Sequence, residues 1–333
     1  MLTAMADRYV LPVFSDLHLR ALQVATASQQ IQQRGAVTEE EVVALREIVG
    51  RLMLSWQRVY TFDFGPADGP FGSMVMNVGT FPVNTSALEA FVAAADTSFQ
   101  NFQRDTRGLC ALDYLLFAES AANTAVKLSG SQAAHRRNYL CAVANTIVRE
   151  VQVVYTAWQG SYRAQFVSRA GTDAGSSVSL VFNTLNIGFE VLKNYKLGLP
   201  LGKRVGQTGP EPTRVEFYYN GASIETMRAQ FAACVDVWRG LAADGSSYPS
   251  FKAYLATVAN GSRLIADTEE QIAKVQAQFD AVGTTVPLST LVVDNPAAVE
   301  PLFVELQKLT RFWKSEMSSL LGISITYSSG DGD

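Results

Sequence analysis

A cysteine and an aspartate lie close together in the stretch RGLCALDYLLF, Arg107 to Phe117. If this stretch is a helix, Cys110 and Asp113 are three residues apart and lie on one face, one turn from each other. A thiol beside a carboxylate can ligate a metal or form a nucleophile with its partner. Because the neighbouring residues are mostly apolar or aromatic, the pair also fits a core helix with a buried thiol and one exposed acid.

Histidine is scarce, and this limits the chemistry open to the chain. The sequence holds two histidines, His18 and His135, and no HExxH motif. Helix-borne zinc protease sites and sites with several histidine ligands are therefore excluded. A cysteine nucleophile needs an activating base, and neither histidine is close to Cys110 in sequence, although either could approach it in the fold.

Two other motifs fail on their spacing. The stretch GLPLGKR has three residues between Gly198 and Gly202, where a phosphate-binding loop needs four, and Arg204 replaces the Ser or Thr that would hold magnesium. The terminal GDGD lacks the length and the distal Glu of a calcium loop. Neither motif predicts a ligand, and the acidic terminus reads as a solvated tail.

The composition is that of a globular protein with a large core, since 48% of the 333 residues are hydrophobic and 17% are charged. The net charge is −4 and no stretch is strongly basic, which excludes nucleic acid as a partner. Cys110, Cys141 and Cys234 are too widely spaced for a disulfide framework or a CxxC metal site. We expect buried free thiols, with a single Cys110–Cys141 bridge as the alternative in an oxidising compartment.

Membrane and export signals are not visible in the sequence. No run of eighteen apolar residues is present, so we expect no transmembrane span. The start, MLTAMADRYV, reads directly into an amphipathic helix rather than a signal peptide. A mature domain whose export signal had been removed would look the same, so this pattern does not indicate a cytoplasmic location.

Helical patterns dominate the chain. Residues 2–33 read as one long helix that Pro12 kinks or restarts. Thr38 with Glu41 forms a capping box for the next helix, and Ser86 with Glu89 indicates a second one. Other helices are predicted from the opening stretch, from Ser131 to about Arg169, from Val178 to about Tyr195, and over 223–242, 250–259, 262–282 and 297–322.

One long segment between helices is not helical. It reads LGLPLGKRVGQTGPEPTRVEFYYNGAS, and loops of this length are often functional. Only RVEFYY and ISITY hint at strands. The sequence therefore predicts an all-α fold of two packed helical-bundle halves, 1–172 and 173–333, with a long irregular loop between helices.

A set of polar residues lies in apolar or aromatic surroundings, and we take them as candidates for a ligand-binding cleft. They are Trp56, Arg58, Arg107, Gly108, Cys110, Asp113, Lys203 and Glu216. A buried carboxylate needs a partner, and Arg107 is too far along the helix to serve Asp113. We expect Lys203 to pair with Asp113 and Glu216 to pair with Arg107.

Five stretches, taken in order, resemble the imelysin-like family, also called the M75 peptidase family, of bacterial envelope proteins. They are MADRYVLPVFSDL, SWQRVYTFDFGP, GLCALDYLLF, LGLPLGK with VEFYYNGAS, and LGISITYSSGDGD, the last two in the form of Bacteroidetes members. The third falls where the family carries G-x-H-x-x-E within a helix. Gly108 matches the motif glycine, whereas Cys110 replaces its His and Asp113 replaces its Glu.

The resemblance implies two helical bundles with a cleft between them. It also implies export to the periplasm, often as an outer-membrane lipoprotein whose lipid anchor and signal would be missing from this chain, and a link to iron or heme uptake. Iron is thus the cofactor that the resemblance implies, while the residues themselves predict no metal site and no catalytic residue. A Cys/Asp pair without His, on so apolar a helix, is a poor iron or zinc site.

These observations lead to one functional prediction and two alternatives. We predict a non-catalytic cell-envelope protein that binds a small ligand or an envelope protein partner in the cleft between its bundles. The first alternative is an M75-type peptidase that uses Cys110 or a metal associated with Asp113. The second is a purely structural role in surface assembly.

Overall fold

The computed structural model describes residues 1–327, and within them the fold is all-α, as predicted. The α-helices of the first half are α1 (Leu2–Met5), α2 (Leu11–Gln33), α3 (Glu39–Trp56), α4 (Met74–Val78), α5 (Thr85–Ala93), α6 (Leu109–Phe117), α7 (Ala121–Leu128), α8 (Ala134–Gln159) and α9 (Ser161–Ser168). Those of the second half are α10 (Ser177–Glu190), α11 (Ser223–Arg239), α12 (Phe251–Leu255), α13 (Gly261–Val282), α14 (Leu288–Asp294), α15 (Glu300–Thr310) and α16 (Met317–Leu321).

Other regular elements are short. Three π-helical segments continue α-helices, at Ala6–Val10, Val191–Gly198 and Arg311–Glu316. Short 3₁₀ turns occur at Tyr60–Phe62, Gly65–Ala67, Arg104–Thr106, Ser131–Ala133, Pro212–Arg214 and Pro296–Ala298. In the described part of the chain, the strands are β1 (Asp68–Gly69) and β2 (Gly72–Ser73), an antiparallel pair that joins Asp68 to Ser73 and Gly69 to Gly72. Neither RVEFYY nor the described ISITY segment is a strand.

The long N-terminal helix restarts near Pro12, as the sequence predicts. The π-helical segment Ala6–Val10 ends just before α2 begins at Leu11. Proline has no N–H, so it cannot bond the carbonyl four residues earlier, that of Arg8. The Arg8 carbonyl instead accepts from the amide of Ala243, 3.4 Å away. The interruption therefore also ties the first helix to the second half of the chain.

Helix ends follow the sequence signals in some places and depart from them in others. The Thr38–Glu41 capping box is confirmed, with both reciprocal hydrogen bonds present. The predicted Ser86 cap is wrong, because Asn84 caps α5 through its side-chain oxygen. Ser131 lies in a 3₁₀ turn rather than at a cap, and Gly160 separates α8 from α9 within the single helix predicted there. The sequence also missed α14.

The helices pack around one continuous hydrophobic core that runs from Leu2 to Ile323. In the first half α2 packs mainly against α8 and α3, and in the second half α13 packs against α15. The two halves meet where α10 contacts the turn Tyr60–Phe62 and where α11 contacts α3. The predicted division after residue 172 falls in the loop between α9 and α10, and it stays a prediction. GDGD lies outside the described residues.

Candidate functional site

Helix α6 begins at a position that only glycine fits. Gly108 has a φ of +78°, and a Cβ atom there would lie 2.3 Å from the carbonyl oxygen of Val78. Both features exclude a side chain. Because Gly108 lets the chain pass so close to the end of α4, α6 is buried along nearly its whole length, and Cys110 and Asp113 enter the interior with it.

Asp113 is buried rather than exposed, and its side chain binds backbone amides of the long loop. Its Oδ2 accepts from the amide of Tyr219 at 2.9 Å, and its Oδ1 accepts from the amide of Asn220 at 3.0 Å. Burial raises the pKa of Asp113 to about 7, and the two amide hydrogen bonds oppose that rise. Asp113 therefore acts as an anchor for the loop, and both of its oxygens are already engaged.

Cys110 faces the same loop as a protonated thiol. Burial raises its pKa well above the usual range, and the nearby carboxyl groups of Glu216 and Asp113 raise it further. A backbone hydrogen bond with Phe217 and the charge of Lys196 oppose this only in part. Since the thiolate is the nucleophilic form, Cys110 is poorly suited to attack a substrate. All three cysteines are free and buried, as expected.

A buried ion pair lies beneath the loop. The Nζ of Lys196 is 2.7 Å from Oε2 of Glu216, and the two side chains are 0% and 1% exposed. Lys196 also donates to Oε1 of Gln57 at 2.8 Å and lies 4.4 Å from the centre of the Tyr60 ring. Burial lowers the pKa of Lys196 and raises the pKa of Glu216, while each charge opposes the shift of the other.

The loop that carries Glu216 is held in an uncommon conformation. Phe217 has a φ of +55°, a region that bulky side chains rarely adopt. The hydroxyl of Ser223, the first residue of α11, donates to the carbonyl of Glu216. On the other side the Tyr219 ring packs against Tyr114 of α6, with 5.2 Å between ring centres. Side chains from α6 and α11 thus fix both ends of this turn.

A cavity of about 260 Å³ opens between α6 and the loop. Its lining is mainly apolar or aromatic and contains both motif residues; the lining residues are Pro82, Val83, Thr85, Cys110, Asp113, Thr213, Val215, Phe217, Tyr218 and Tyr219. Five come from the predicted first half and five from the second. We refer to it as the Cys110 pocket. The cavity is therefore lined by residues from both sides of the predicted division, while the division itself stays a prediction.

The partners predicted for the charged site residues are wrong. Lys203 pairs with Glu300 at 2.5 Å near the surface, and Asp113 bonds to backbone amides instead. Arg107 donates to the carbonyls of Phe99 at 2.9 Å and Asn101 at 3.2 Å rather than to Glu216. The physical reason is that the loop approaches α6 with its backbone at Tyr219 and Asn220, so no side chain is needed there.

Three further predicted site residues do not line the Cys110 pocket. Trp56 is fully buried in the core and packs edge-on against Tyr60, with 5.7 Å between ring centres. Arg58 lies 3.9 Å from Asp236 and lines a separate open groove between α2, α3 and α11. Arg107 lines a third cavity, next to Phe99. Of the candidates that were predicted as one cleft, only Cys110 and Asp113 thus line the Cys110 pocket.

The arrangement around Cys110 does not fit a resident iron. Both oxygens of Asp113 accept backbone hydrogen bonds, and Cys110 is held as the neutral thiol, whereas metal ligands must be deprotonated and accessible. Within residues 1–327, no group of three or more His, Cys, Asp or Glu side chains could hold a metal ion. Within the same residues, no helix is long and apolar enough to cross a membrane.

Comparison with known proteins places this geometry in a family. The family model described as Imelysin, Peptidase M75, matches residues 10–311. The chain belongs to the imelysin family. No curated protein matches the sequence. The pocket therefore lies in an imelysin fold, at the helix where the sequence resembles the G-x-H-x-x-E motif.

Two solved structures share the imelysin fold. An imelysin-like protein from Psychrobacter arcticum is 19% identical, with a TM-score of 0.75, and the match covers 98% of this chain and 96% of that one. A putative iron-regulated protein A precursor from Parabacteroides distasonis is 16% identical, with a TM-score of 0.78, and the match covers 96% of this chain and 94% of that one. At these identities the likeness shows the fold alone.

Sequence reasoning missed the residue that neutralises Glu216. Phe189, Leu192 and Lys196 follow helical spacing, with steps of three and four residues, and all three are fully buried. A lysine on an apolar stripe was therefore a usable signal for a buried charge. The backbone amides of Tyr219 and Asn220 left no such signal, because their role depends on the path of the loop.

Proposed function

We propose that this imelysin is a non-catalytic protein of the cell envelope that binds a small ligand in the Cys110 pocket. The observation that carries the proposal is the state of the two motif residues. Cys110 is a buried thiol with a raised pKa, and Asp113 spends both carboxylate oxygens on the loop. The pair shapes the wall of a cavity, and neither member is available as a nucleophile or a ligand to a metal.

The size and lining of the pocket limit the ligand. A volume of about 260 Å³ is near the lower end of small-molecule sites, so the ligand is a small molecule or one side chain presented by an envelope partner. The aromatic residues Phe217, Tyr218 and Tyr219 line the loop side, and Thr85 and Thr213 contribute neutral hydroxyl groups. This lining favours a largely apolar, uncharged group.

The location and the link to iron rest on the family resemblance. We propose that the protein works in the periplasm, as an exported or lipid-anchored protein, and that it serves iron uptake without holding iron at Cys110. The name of the Parabacteroides distasonis relative, an iron-regulated protein precursor, supports a link to iron. Elemental analysis after incubation with a ferrous salt tests this. We expect equal iron contents for the wild type and Asp113→Asn, and iron lost only in the variant would contradict it.

Ligand binding is tested with a variant that fills the pocket. Thr213 is exposed at the rim, so Thr213→Trp places a large ring over the opening without disturbing the core. Thr208→Trp, on an exposed position of the same loop outside the lining, is the matched control. Fragments detected by saturation-transfer NMR on the wild type should lose their signal with Thr213→Trp and keep it with Thr208→Trp. Equal signals for both variants would contradict binding in this pocket.

The peptidase alternative is tested separately. Purified protein is incubated with fluorescently labelled casein, and we expect no cleavage above the buffer control because burial keeps Cys110 as the neutral thiol. Cleavage that disappears in Cys110→Ala would establish the alternative and contradict the proposal. Cleavage that persists in Cys110→Ala but disappears in Asp113→Asn and after addition of EDTA would establish the metal form of the alternative and would also contradict the proposal. Cleavage that persists in both variants and in EDTA would indicate a contaminating protease, and the assay would be repeated on material purified further until that activity is removed.

A further inference from the structure

The cavity that Arg107 lines is separate from the Cys110 pocket and shares no lining residue with it. It measures about 470 Å³ and lies between α8 and the loop that precedes α6. Three phenylalanines and two arginines dominate its lining; they are Phe71, Phe99, Phe102, Arg107 and Arg149. We call it the arginine–phenylalanine cavity. The function proposed above does not involve it.

Two of the three aromatic rings are left in solvent. Phe71 is 72% exposed and Phe102 is 77% exposed, although most large apolar side chains of the protein are buried. Large apolar side chains exposed together at the mouth of a cavity mark a binding site. The two rings come from the β1–β2 turn and from the loop before α6, so they approach the cavity from different segments.

The loop that carries Phe102 is held in place from below. Arg107 donates to the carbonyls of Phe99 and Asn101, at 2.9 and 3.2 Å. Phe99 has a φ of +50°, and its ring packs edge-on against Tyr139 with 5.3 Å between ring centres. A loop fixed by a buried arginine and by an aromatic contact presents its exposed ring in a defined position. The cavity is therefore preformed.

The charges of the lining are unbalanced. Arg149, on α8, is exposed and has no hydrogen-bond or ion-pair partner among the described residues. Arg107 is repelled by the charges of Arg104 and Arg149 and attracted by the charge of Glu150, so the lining holds two arginines against one acid. The one acid of the lining, Glu150, accepts from the amide nitrogen of Asn77 at 3.3 Å. An anion in the cavity would relieve the repulsion and give Arg149 a partner.

We propose that the arginine–phenylalanine cavity binds a small aromatic carboxylate. The ring lies against Phe71 and Phe102, and the carboxylate pairs with Arg149. An aromatic ring covers the exposed phenylalanines, and a planar carboxylate matches the fork of an arginine. The cavity volume exceeds what a one- or two-ring acid requires, and it falls in the usual range for small-molecule sites.

The test compares two ligands of nearly equal shape, one charged and one neutral. Naphthoate and its neutral amide, naphthamide, are titrated into the full chain by isothermal calorimetry at low salt. We expect naphthoate to bind at least about tenfold more tightly, which corresponds to about 1.4 kcal/mol. Arg149→Gln should abolish this preference and leave the affinity for naphthamide unchanged. Phe102→Ser should lower the affinity for both ligands.

The controls separate binding from folding. Arg169→Gln removes another exposed arginine, outside the cavity lining, and should leave both affinities unchanged. Arg149 and Phe102 are exposed, so all variants should keep the wild-type melting temperature. The proposal is overturned if the wild type binds neither ligand, if naphthamide binds as tightly as naphthoate, or if Arg149→Gln keeps the full preference.

Discussion

The ammonium group of Lys196 lies 2.7 Å from the carboxylate of Glu216, and neither side chain reaches solvent. Lys196 lies on the π-helical segment where the long loop begins, and Glu216 lies in the last part of the loop, seven residues before α11. Among residues 1–327, Oε1 of Glu216 finds no hydrogen-bond partner, so the pair is not fully satisfied there. Such a pair fixes the path of the loop more than it adds to stability.

Breaking this ion pair from one side should destabilise the protein strongly. Lys196→Met leaves the Glu216 carboxylate buried without a cation, and we expect a loss of about 3–5 kcal/mol in the free energy of unfolding. The double variant Lys196→Met, Glu216→Leu should lose less than Lys196→Met alone. Urea denaturation followed by circular dichroism measures both. A double variant as unstable as the sum of its single variants would contradict the coupling.

An exposed pair provides the control for that cycle. Lys274 and Glu270 are also 2.7 Å apart, four residues apart on α13, but their side chains are 52% and 68% exposed. Solvent screens such a pair, so Lys274→Met should leave the denaturation midpoint almost unchanged. The difference in unfolding free energy between Lys196→Met and Lys274→Met then measures the effect of burial, because the two ion pairs have the same N–O distance.

Removing the Asp113 carboxylate should release the loop from α6. Asp113→Ala leaves the part-buried amides of Tyr219 and Asn220 without their acceptor, and each amide that stays unsatisfied costs up to about 1–3 kcal/mol. Asp113→Asn keeps one acceptor oxygen and should be milder. Hydrogen exchange read by mass spectrometry should show faster exchange over 213–222 in Asp113→Ala. Unchanged exchange there would contradict the anchoring role.

The Asp113 carboxyl should also give stability a pH dependence that Asp113→Asn lacks. Its pKa is about 7 in the folded protein, against 3.8 for an unperturbed aspartate. The folded state thus keeps a proton that the unfolded state has released, so stability falls as pH rises from about 4 to about 7. The slope approaches about 1.4 kcal/mol per pH unit at most, and it levels off above pH 7. Unfolding free energies of the two proteins, compared across this range, should converge at the acid end; parallel curves would contradict the shift.

The sequence predicted what is local and missed what depends on the path of the chain. The all-α fold, the Thr38 capping box and the restart near Pro12 follow from short-range rules of spacing and backbone chemistry. Lys203 was assigned to Asp113 because both are charged, but its real partner, Glu300, is 97 residues away along the chain. No spacing rule connects two positions so far apart.

The candidate site shows the same division. Cys110 and Asp113 share the short helix α6, so their common placement could be predicted from its periodicity. Arg107 is separated from that helix by Gly108 alone but lines a different cavity, since the chain turns sharply at Gly108. A single residue with positive φ changes the direction in which the preceding side chain points. Hydrophobic periodicity does not predict that change of direction.

The capping box at α3 offers a test of a purely local prediction. Thr38 accepts from the amide of Glu41, and the Glu41 side chain accepts from the amide of Thr38 at 3.0 Å. Thr38→Ala removes one of these bonds and should lower the free energy of unfolding by about 0.5–2 kcal/mol. Thr38→Ser keeps the hydroxyl and should stay within a few tenths of the wild type. Equal losses in both variants would show that the threonine methyl group, rather than the cap, matters.

The three thiols should differ in their reactivity toward iodoacetamide in the native protein. Burial raises the pKa of all three thiols, that of Cys110 well above the usual range and that of Cys234 to about 12. Cys141 differs from the other two because it lines an open, mostly polar depression beside Gln29 and Asn145. Alkylation requires the thiolate, so Cys141 should be modified first and the other two only after unfolding. Peptide mapping by mass spectrometry after timed exposure, with and without guanidinium, gives the order. Rapid native labelling of Cys110 would show that its thiol is ionised and accessible, and it would restore Cys110 as a candidate nucleophile.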